Sequence, residues 1–284
     1  MRPRELQDSL NYYLYHPLAW QLARVLARTP ITPNMVSVVG AGFVIAAAAA
    51  YAQAWYPACA ALGMVLHMTW HVVDGADGDL ARMTGRSSPV GEMVDGLCDY
   101  LSHIVLYLVL GWLLHKSMGG WAWVWMLAAG ISHAVQSNHV EVQRRQYQWW
   151  VYGTPWIRHN HQADSATAKS PFAGLVSTYL AVASGMTPHA LKIDAIVAEA
   201  DEARREAVRQ AVRAEAPPLL RICKVLGPNP RAIVLGLSML AGGPGWHGAL
   251  YYFFYQAVVL NLGLIWSVRA HNAAAKRIAA AVDA

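Results

Sequence analysis

Two short acidic segments, DGADGDLAR at residues 74–82 and GEMVDGLCD at residues 91–99, are the most informative part of this sequence. Asp74 and Asp77 are three residues apart, and Asp95 and Asp99 are four apart. On helices each pair projects from one face, because residues three and four apart are neighbours on a helix surface. The link between the segments is short enough to turn one acidic face toward the other. We therefore predict a helical hairpin on which four carboxylates converge.

The charged residues around this hairpin are unevenly distributed. Of the 284 residues, 56% are hydrophobic and only 14% are charged. Asp, Glu, Lys and Arg are absent from residues 31–73 and 232–268 and, apart from Lys116, from residues 100–140. A helix that spans a bilayer needs about 20 apolar residues, so each of these stretches has room for two membrane helices. The sequence thus predicts an all-α integral membrane protein with six transmembrane helices.

Glycine, proline and charged residues divide the chain further. The predicted order is an N-terminal amphipathic interfacial segment at residues 1–30, transmembrane helices 1 to 4 at residues 31–142, a cytoplasmic helical insertion at residues 143–230, and transmembrane helices 5 and 6 with a C-terminal tail at residues 231–284. Individual membrane helices are expected at residues 34–53, 58–82, 91–114, 121–143, 232–240 and 248–268. The fifth is short, so a re-entrant segment is an alternative to a full span. The insertion includes a charged helix that we expect to be solvated.

The distribution of basic residues orients the chain. Lys and Arg near helix ends favour the cytoplasmic side of a membrane. If the turn that contains Lys116 faces outward, nearly all of the 22 Lys and Arg residues lie inside. Both termini and the acidic segments are then cytoplasmic. A formal net charge of +5 suits a surface next to anionic lipid, whereas the basic stripe with interleaved aromatic residues that nucleic-acid binding requires is missing from the sequence.

Four carboxylates at a membrane helix end require a positive partner. By insertion scales, one charged Asp inside a membrane costs about 2.5 kcal/mol or more. Hard divalent cations such as Mg²⁺ or Mn²⁺ prefer all-oxygen, carboxylate-rich sites. Four carboxylates suffice for two such ions with shared ligands, an arrangement typical of phosphoryl transfer. The sequence therefore predicts a site with two Mg²⁺ or Mn²⁺ ions.

Small residues accompany the carboxylates on the first segment. Gly78 and Ala81 lie about one turn beyond Asp74 and Asp77, where an open helix surface would let a base or a pyrophosphate approach the backbone. Close helix packing is the alternative explanation for two small residues in a membrane helix. The adjacent carboxylates favour the substrate-binding interpretation, in which Arg82 meets phosphate charge.

The complete pattern resembles a known family signature. Its spacing is Asp74-x2-Asp77-Gly78-x2-Ala81-Arg82-x8-Gly91-x3-Asp95-x3-Asp99. This pattern is similar, at every defining position, to the signature of the class I CDP-alcohol phosphotransferases, also called CDP-alcohol phosphatidyltransferases. The segment Thr32-Pro33-Asn34 before the first membrane helix looks like the Thr-Pro-Asn segment of the same family.

This resemblance implies a role for each matching residue. Asp74, Asp77 and Asp95 would hold the metal ions, while Asp99 would be both a ligand of the second ion and the proton acceptor. The residues that would line the CDP-alcohol pocket are Gly78, Ala81, Arg82, Ser88, Gly91, Thr32, Pro33 and Asn34. The resemblance also implies a homodimer and a bacterial-type inner membrane location, with a CDP-linked lipid and an acceptor alcohol as substrates.

Three functions are compatible with these features. The favoured one is transfer of a phosphatidyl group from CDP-diacylglycerol to an acceptor hydroxyl, with release of CMP. A transferase that acts on CDP-choline or CDP-ethanolamine and a lipid acceptor, diacylglycerol or a sphingoid base, would carry the same signature. A divalent-cation transporter is the third alternative, since intramembrane acids often mark ion routes. Arg144 and Arg145 follow the fourth helix and would bind an acceptor phosphate or lipid headgroups, or serve as a topological anchor.

Overall fold

The structure is a computed structural model that describes residues 3–53, 56–156, 181–182, 184–242 and 247–283. All regular elements in these ranges are helical, which confirms the predicted all-α class. The α-helices are α1 (His16–Leu26), α2 (Pro33–Tyr51), α3 (Pro57–Met83), α4 (Pro89–Met118), α5 (Trp121–Tyr152), α6 (Ala190–Glu199), α7 (Glu202–Val225), α8 (Pro228–Gly242), α9 (His247–Phe254) and α10 (Leu260–Asp283). Short π-helical segments at Asn11–Tyr15 and Tyr255–Val259 precede α1 and α10.

Three helices in the described ranges are long and apolar enough to cross a membrane. They are Pro33–Tyr51, Val90–Met118 and His247–Val282. Helices α3 and α5 are also long, with 27 and 32 residues, but they carry more polar side chains. These three helices support the prediction of a membrane protein. The count of six spans stays a prediction.

The first compact unit comprises Met1–Ile131 and Pro228–Val258. Helix α2 packs against both α3 and α4, and α8 packs against α3 and α9. Large side chains from these helices, among them Tyr51, Leu110 and Phe253, are fully buried in one core. Helix α1 packs on α3 through small residues, because Ala19, Ala23 and Ala76 are all buried in a second cluster. This unit contains the acidic hairpin.

The turn between α3 and α4 has clear local causes. Helix α3 ends at Met83, and Gly85 follows with a positive φ of 65° that favours glycine. Helix α4 begins at Pro89, two residues before its predicted start, because Ser88 caps it: the Ser88 Oγ accepts a hydrogen bond of 3.0 Å from the Gly91 amide. Proline is favoured at the first helical position, so this start is well specified.

The second compact unit comprises Ser132–Gly227 and Val259–Ala284. Helix α5 continues to Tyr152 rather than ending near Gln143, because no glycine or proline lies between Gln143 and Gly153, whose φ is 68°. The sequence predicts that this charged helix is solvated. Instead, one side of α7 packs against α10. Its buried residues are Val208, Val212, Ala216, Leu220 and Cys223.

A polar seam lies inside the second unit, along the buried face of α5. Its members recur at alternating steps of four and three residues: Ser132, Gln136, His139, Gln143 and Gln146. Asn261 accepts a hydrogen bond of 2.8 Å from Gln136, and the Nε2 atom of His139 lies 2.9 Å from the Oγ atom of Ser267. Hydrogen bonds between polar side chains therefore contribute to the packing of α5 on α10.

Candidate metal centre

The four aspartates of the hairpin meet in the first unit. Asp74 and Asp77 lie on α3, and Asp95 and Asp99 lie on α4. One carboxylate oxygen each from Asp74, Asp95 and Asp99 can be chosen so that all three atoms lie within 4.8 Å of one another. These three side chains are half-buried. Such a group of oxygens has the size and chemistry of a site for a divalent cation.

Asp77 joins the same group from a more buried position. The residue is only 6% exposed, and its carboxyl group is close enough to that of Asp95 for the two to interact. The carboxyl groups of Asp74 and Asp99 also interact. Neighbouring carboxylates repel each other unless a proton or a cation lies between them. The donor set therefore fits hard divalent ions, with oxygen ligands only and two close pairs of carboxylates.

Ser37 on α2 also contacts this centre. Its hydroxyl donates a hydrogen bond of 2.5 Å to the Oδ2 atom of Asp77, and both side chains are buried. Sequence analysis had not singled out Ser37. Its position, one helical turn after Pro33 on a helix that must pack on α3, was the only available signal.

The segment from Thr32 to Asn34 lies beside the start of α4. Thr32 caps α2 by accepting a hydrogen bond of 3.4 Å from the Met35 amide, and Pro33 is the first residue of that helix. A Cβ atom placed on Gly91 would lie 3.3 Å from the Oγ atom of Ser88 and 3.6 Å from the Oδ1 atom of Asn34. The structure thus brings these predicted pocket residues together. Two helix N-termini adjoin there, and helix N-termini attract anions such as phosphates.

Arg82 is in a different arrangement from the one expected. Its guanidinium donates a hydrogen bond of 2.7 Å to Asp79, and its side chain is 68% exposed. A Cβ atom on Gly78 would lie 3.4 Å from the Nη1 atom of Arg82, so the guanidinium group lies beside Gly78. Ala81 is half-buried on the same helix. An exposed ion pair is weak, so Arg82 can leave Asp79 for a phosphate at little cost.

Asp99 is held by several neighbours. The indole Nε1 atom of Trp70 donates a hydrogen bond of 3.1 Å to its Oδ1 atom. Its main-chain oxygen accepts hydrogen bonds from the Nδ1 atom of His103 at 2.8 Å and from the hydroxyl of Ser102 at 3.0 Å. Because a carbonyl oxygen only accepts, the Nδ1 atom of His103 must carry a proton. Trp70 was not recognised from the sequence, since a tryptophan in an apolar helix is ordinarily a packing residue.

Arg144 and Arg145 lie in the second unit, on α5. Both form ion pairs with Glu141, at 3.3 and 2.7 Å. Their spacing of three and four residues from Glu141 places all three side chains on one side of the helix.

Comparison with known proteins adds an independent observation. Residues 30–187 match the family model described as CDP-alcohol phosphatidyltransferase. A protein of Schizosaccharomyces pombe, described as an uncharacterised CDP-alcohol phosphatidyltransferase class-I family protein, is 32% identical over 98 residues. That alignment covers 30% of this chain and 24% of the relative, so the similarity concerns about a quarter of the yeast protein.

Proposed function

Because the chain belongs to the CDP-alcohol phosphatidyltransferase family, a family of transferases, we propose that it moves a phosphatidyl group from CDP-diacylglycerol to the hydroxyl of a polar acceptor, releasing CMP. One observation carries this proposal. Asp74, Asp95 and Asp99 each place a carboxylate oxygen within 4.8 Å of the others, with the Asp77 carboxyl beside that of Asp95, at the positions of the family-like signature. A cation-transport role has no support from the family.

The metal part of the proposal is two Mg²⁺ or Mn²⁺ ions held by Asp74, Asp77, Asp95 and Asp99. When bound, such ions neutralise pyrophosphate charge and lower the pKa of a coordinated hydroxyl. The hydrogen bond from Ser37 fixes one oxygen of Asp77 and leaves the other oxygen available as a ligand. Four carboxylates in two close pairs suit two ions better than one.

The nucleotide part of the proposal uses the adjoining starts of α2 and α4. The ends of these helices, at Thr32 and Ser88, favour phosphate groups through their positive dipole ends. Asn34 reaches Gly91, where the lack of a Cβ atom leaves space next to the backbone. Arg82 exchanges Asp79 for a phosphate oxygen, which is favourable because its present ion pair is exposed. Gly78 and Ala81 leave the surface beside Arg82 open.

The transfer step follows from these positions. The acceptor oxygen forms a bond to the β-phosphorus of the CDP-lipid, and the bond from that phosphorus to the bridging oxygen breaks. CMP leaves with the bridging oxygen, and the hydroxyl proton passes to Asp99 as the transfer proceeds. Asp99 mainly orients the hydroxyl before this, because a carboxylate is a weak base at neutral pH. Positioning and electrostatic stabilisation supply most of the rate.

The topology proposed with this function has six transmembrane helices, with both termini and the acidic hairpin cytoplasmic in a bacterial-type inner membrane. It includes an interfacial segment at residues 1–30, membrane helices at 31–142 and 231–284, and an insertion at 143–230.

Arg144 and Arg145 are proposed to bind an acceptor phosphate or lipid headgroups, and the enzyme is proposed to be a homodimer. Labelling of single cysteines introduced at both termini, from outside intact cells and after lysis, tests the orientation.

A substrate panel tests the proposed reaction directly. Purified enzyme in lipid nanodiscs is incubated with CDP-diacylglycerol and, in turn, glycerol phosphate, inositol, inositol phosphate or serine, and CMP release is measured. We expect one acceptor to stimulate release strongly, and Asp95→Asn to abolish it. Release from CDP-choline only when diacylglycerol is present, with none from CDP-diacylglycerol, would instead establish the aminoalcohol transferase.

A further inference from the structure

We propose that Trp70 is a positioning residue of the transfer reaction, whose indole N–H holds one oxygen of Asp99 so that the other faces the metal ion and the acceptor hydroxyl. This inference rests on the proposed function. It gives a functional role to Trp70, which lies outside the signature, one helical turn before Asp74 on α3.

The hydrogen bond itself is well defined. The Nε1 atom of Trp70 lies 3.1 Å from the Oδ1 atom of Asp99, across the interface between α3 and α4. An indole N–H can only donate and carries no charge, so it pairs with a carboxylate oxygen without competing with a cation for the site. A lysine or arginine in this position would pair with Asp99 as a counter-ion and displace the metal.

The indole ring has little freedom to move away. Trp70 is only 8% exposed, and its ring lies 4.6 Å from that of His71 and 4.7 Å from that of His103, measured between centroids. On the side of α2, a Cβ atom placed on Gly40 would lie 3.5 Å from the Cδ1 atom of Trp70. The absence of a side chain at Gly40 thus lets the indole lie close to the α2 backbone.

His103 extends the same support to the main chain of Asp99. Its Nδ1 atom donates to the Asp99 carbonyl oxygen, so its Nε2 atom is the acceptor in the neutral ring. That Nε2 atom lies 3.4 Å from the Nε2 atom of His67, which must then be the donor. The ring of His103 packs on Trp70 as well. Asp99 is thereby fixed through both its side chain and its backbone.

A fixed carboxylate matters because small displacements of a reacting group are costly. If Asp99 rotated about its side-chain bonds, it could present Oδ1 instead of Oδ2 to a bound ion, or bind the ion through both oxygens. Some residues orient a metal ligand by a hydrogen bond to the ligand atom that does not coordinate the ion. Such residues typically contribute about 10-fold to 100-fold in metal affinity or activity. We expect Trp70→Phe, which keeps an aromatic ring and removes the N–H, to lower kcat by about that factor. The KM for the CDP-lipid should change little, because Trp70 lies about two helical turns before Gly78, the first of the proposed nucleotide residues on α3.

The experiment combines kinetics with binding of Mn²⁺ to the purified enzyme. Mn²⁺ affinity is measured by electron paramagnetic resonance for wild type, Trp70→Phe, Asp99→Asn and the double variant. We expect Trp70→Phe to weaken Mn²⁺ binding in the wild-type background and to have no further effect when Asp99 is already Asn. An equal loss in both backgrounds would overturn the proposal, because it would show a packing effect that bypasses Asp99.

Two further variants separate the hydrogen bond from the fold. Replacement of Trp70 by benzothienylalanine keeps the bicyclic shape and lacks the N–H, so it should reproduce the kcat loss of Trp70→Phe; full activity would overturn the proposal. Trp121→Phe, at an exposed tryptophan of α5, is the matched control and should behave as wild type. A wild-type enzyme that releases CMP but is unaffected by Trp70→Phe refutes only this inference, whereas one that neither binds Mn²⁺ nor releases CMP refutes the proposed function.

Discussion

The hydroxyl of Ser37 donates a hydrogen bond of 2.5 Å to the Oδ2 atom of Asp77, although the two residues are 40 positions apart in the chain. Both side chains are buried, so the bond is shielded from water. It links α2, which begins with the proposed nucleotide residues Thr32 to Asn34, to the carboxylates of α3. The hydroxyl therefore orients a proposed metal ligand and joins two parts of the same site.

The first prediction concerns this bond. Ser37→Ala leaves a buried oxygen of Asp77 without its donor, which costs about 1–3 kcal/mol for a buried group. We expect Mn²⁺ to bind about 10-fold more weakly, as for other groups that orient a metal ligand. Ser117→Ala removes a hydroxyl that bonds only within α4 and is the control. Unchanged Mn²⁺ affinity in Ser37→Ala would show that Asp77 needs no orientation from α2.

The second prediction concerns Asp99. We expect Asp99→Asn to abolish CMP release and to leave CDP-diacylglycerol binding largely intact, because cations on the remaining carboxylates and the two helix N-termini are proposed to hold the nucleotide. CMP release and equilibrium binding of a labelled CDP-lipid provide the two measurements. Asp201→Asn, at the residue that caps α7, is the control for loss of one carboxylate. Full activity of Asp99→Asn would remove this residue from the mechanism.

The third prediction concerns metal removal. Activity should disappear with EDTA and return with Mg²⁺ or Mn²⁺, because the ions proposed to bind Asp74, Asp95 and Asp99 would neutralise the pyrophosphate charge. Ca²⁺ should restore it poorly, since that larger ion accepts looser geometry and longer ligand distances. Turnover that resists the chelator would contradict a metal centre formed by Asp74, Asp77, Asp95 and Asp99.

The fourth prediction uses two glycines that each separate a pair of aspartates. A Cβ atom on Gly75 would lie 3.1 Å from the Cβ atom of Ala19 on α1, whereas one on Gly96 would have nothing within 4 Å. Alanine has the better helix propensity by about 0.8–1.0 kcal/mol, so Gly96→Ala should be neutral or stabilising in thermal unfolding. Gly75→Ala should gain less stability or lose some, because α1 must shift, and Gly75→Leu should detach α1. Equal unfolding temperatures for Gly75→Leu and wild type would show that α1 is not packed on α3.

The fifth prediction concerns pH. The Nε and Nη2 atoms of Arg277 donate to the two carboxylate oxygens of Glu215 at 2.8 and 2.6 Å, and this lowers the pKa of Glu215 below its ordinary value. Because the pKa is lower in the folded state, the pair stabilises the fold above the unfolded-state pKa of about 4.3 and loses that effect as pH falls through the folded pKa.

This pair is tested by substitution at two pH values. Glu215→Gln should lower the unfolding temperature slightly at neutral pH, and this difference should shrink as the pH falls through the folded-state pKa of Glu215. Glu199→Gln, at the end of α6, is the control. An effect of Glu215→Gln that is independent of pH would point to packing rather than charge.

The acidic hairpin was readily predicted from sequence because its information is local. Spacings of three and four residues determine which side chains share a helix face, whatever the rest of the chain does. The helix boundaries were less accurate: the capping hydrogen bond of Ser88 starts α4 two residues early, and α5 continues nine residues beyond Gln143. The first shift depends on a single hydrogen bond and the second on the lack of a glycine or proline, and neither depends on the apolar pattern.

The polar seam of the second unit shows what helical spacing cannot predict, namely the hydrogen-bond partners on another helix. Gln136 and His139 lie on one face of α5 by spacing alone, but their partners Asn261 and Ser267 are more than 100 residues away. A pattern within one helix cannot name a partner on another. The buried face of α7 has the same origin, because packing on α10 decides which side of an amphipathic helix is covered.

The helical class, the apolar stretches long enough for a membrane and the four aspartates with their family-like spacing could be predicted from the sequence, since each depends on composition or on helical periodicity. The hydrogen bonds from Ser37 to Asp77 and from Trp70 to Asp99 could be known only from the packed helices. A hydrogen bond between helices requires two surfaces to meet in one register, and the free energy of packing the whole unit sets that register.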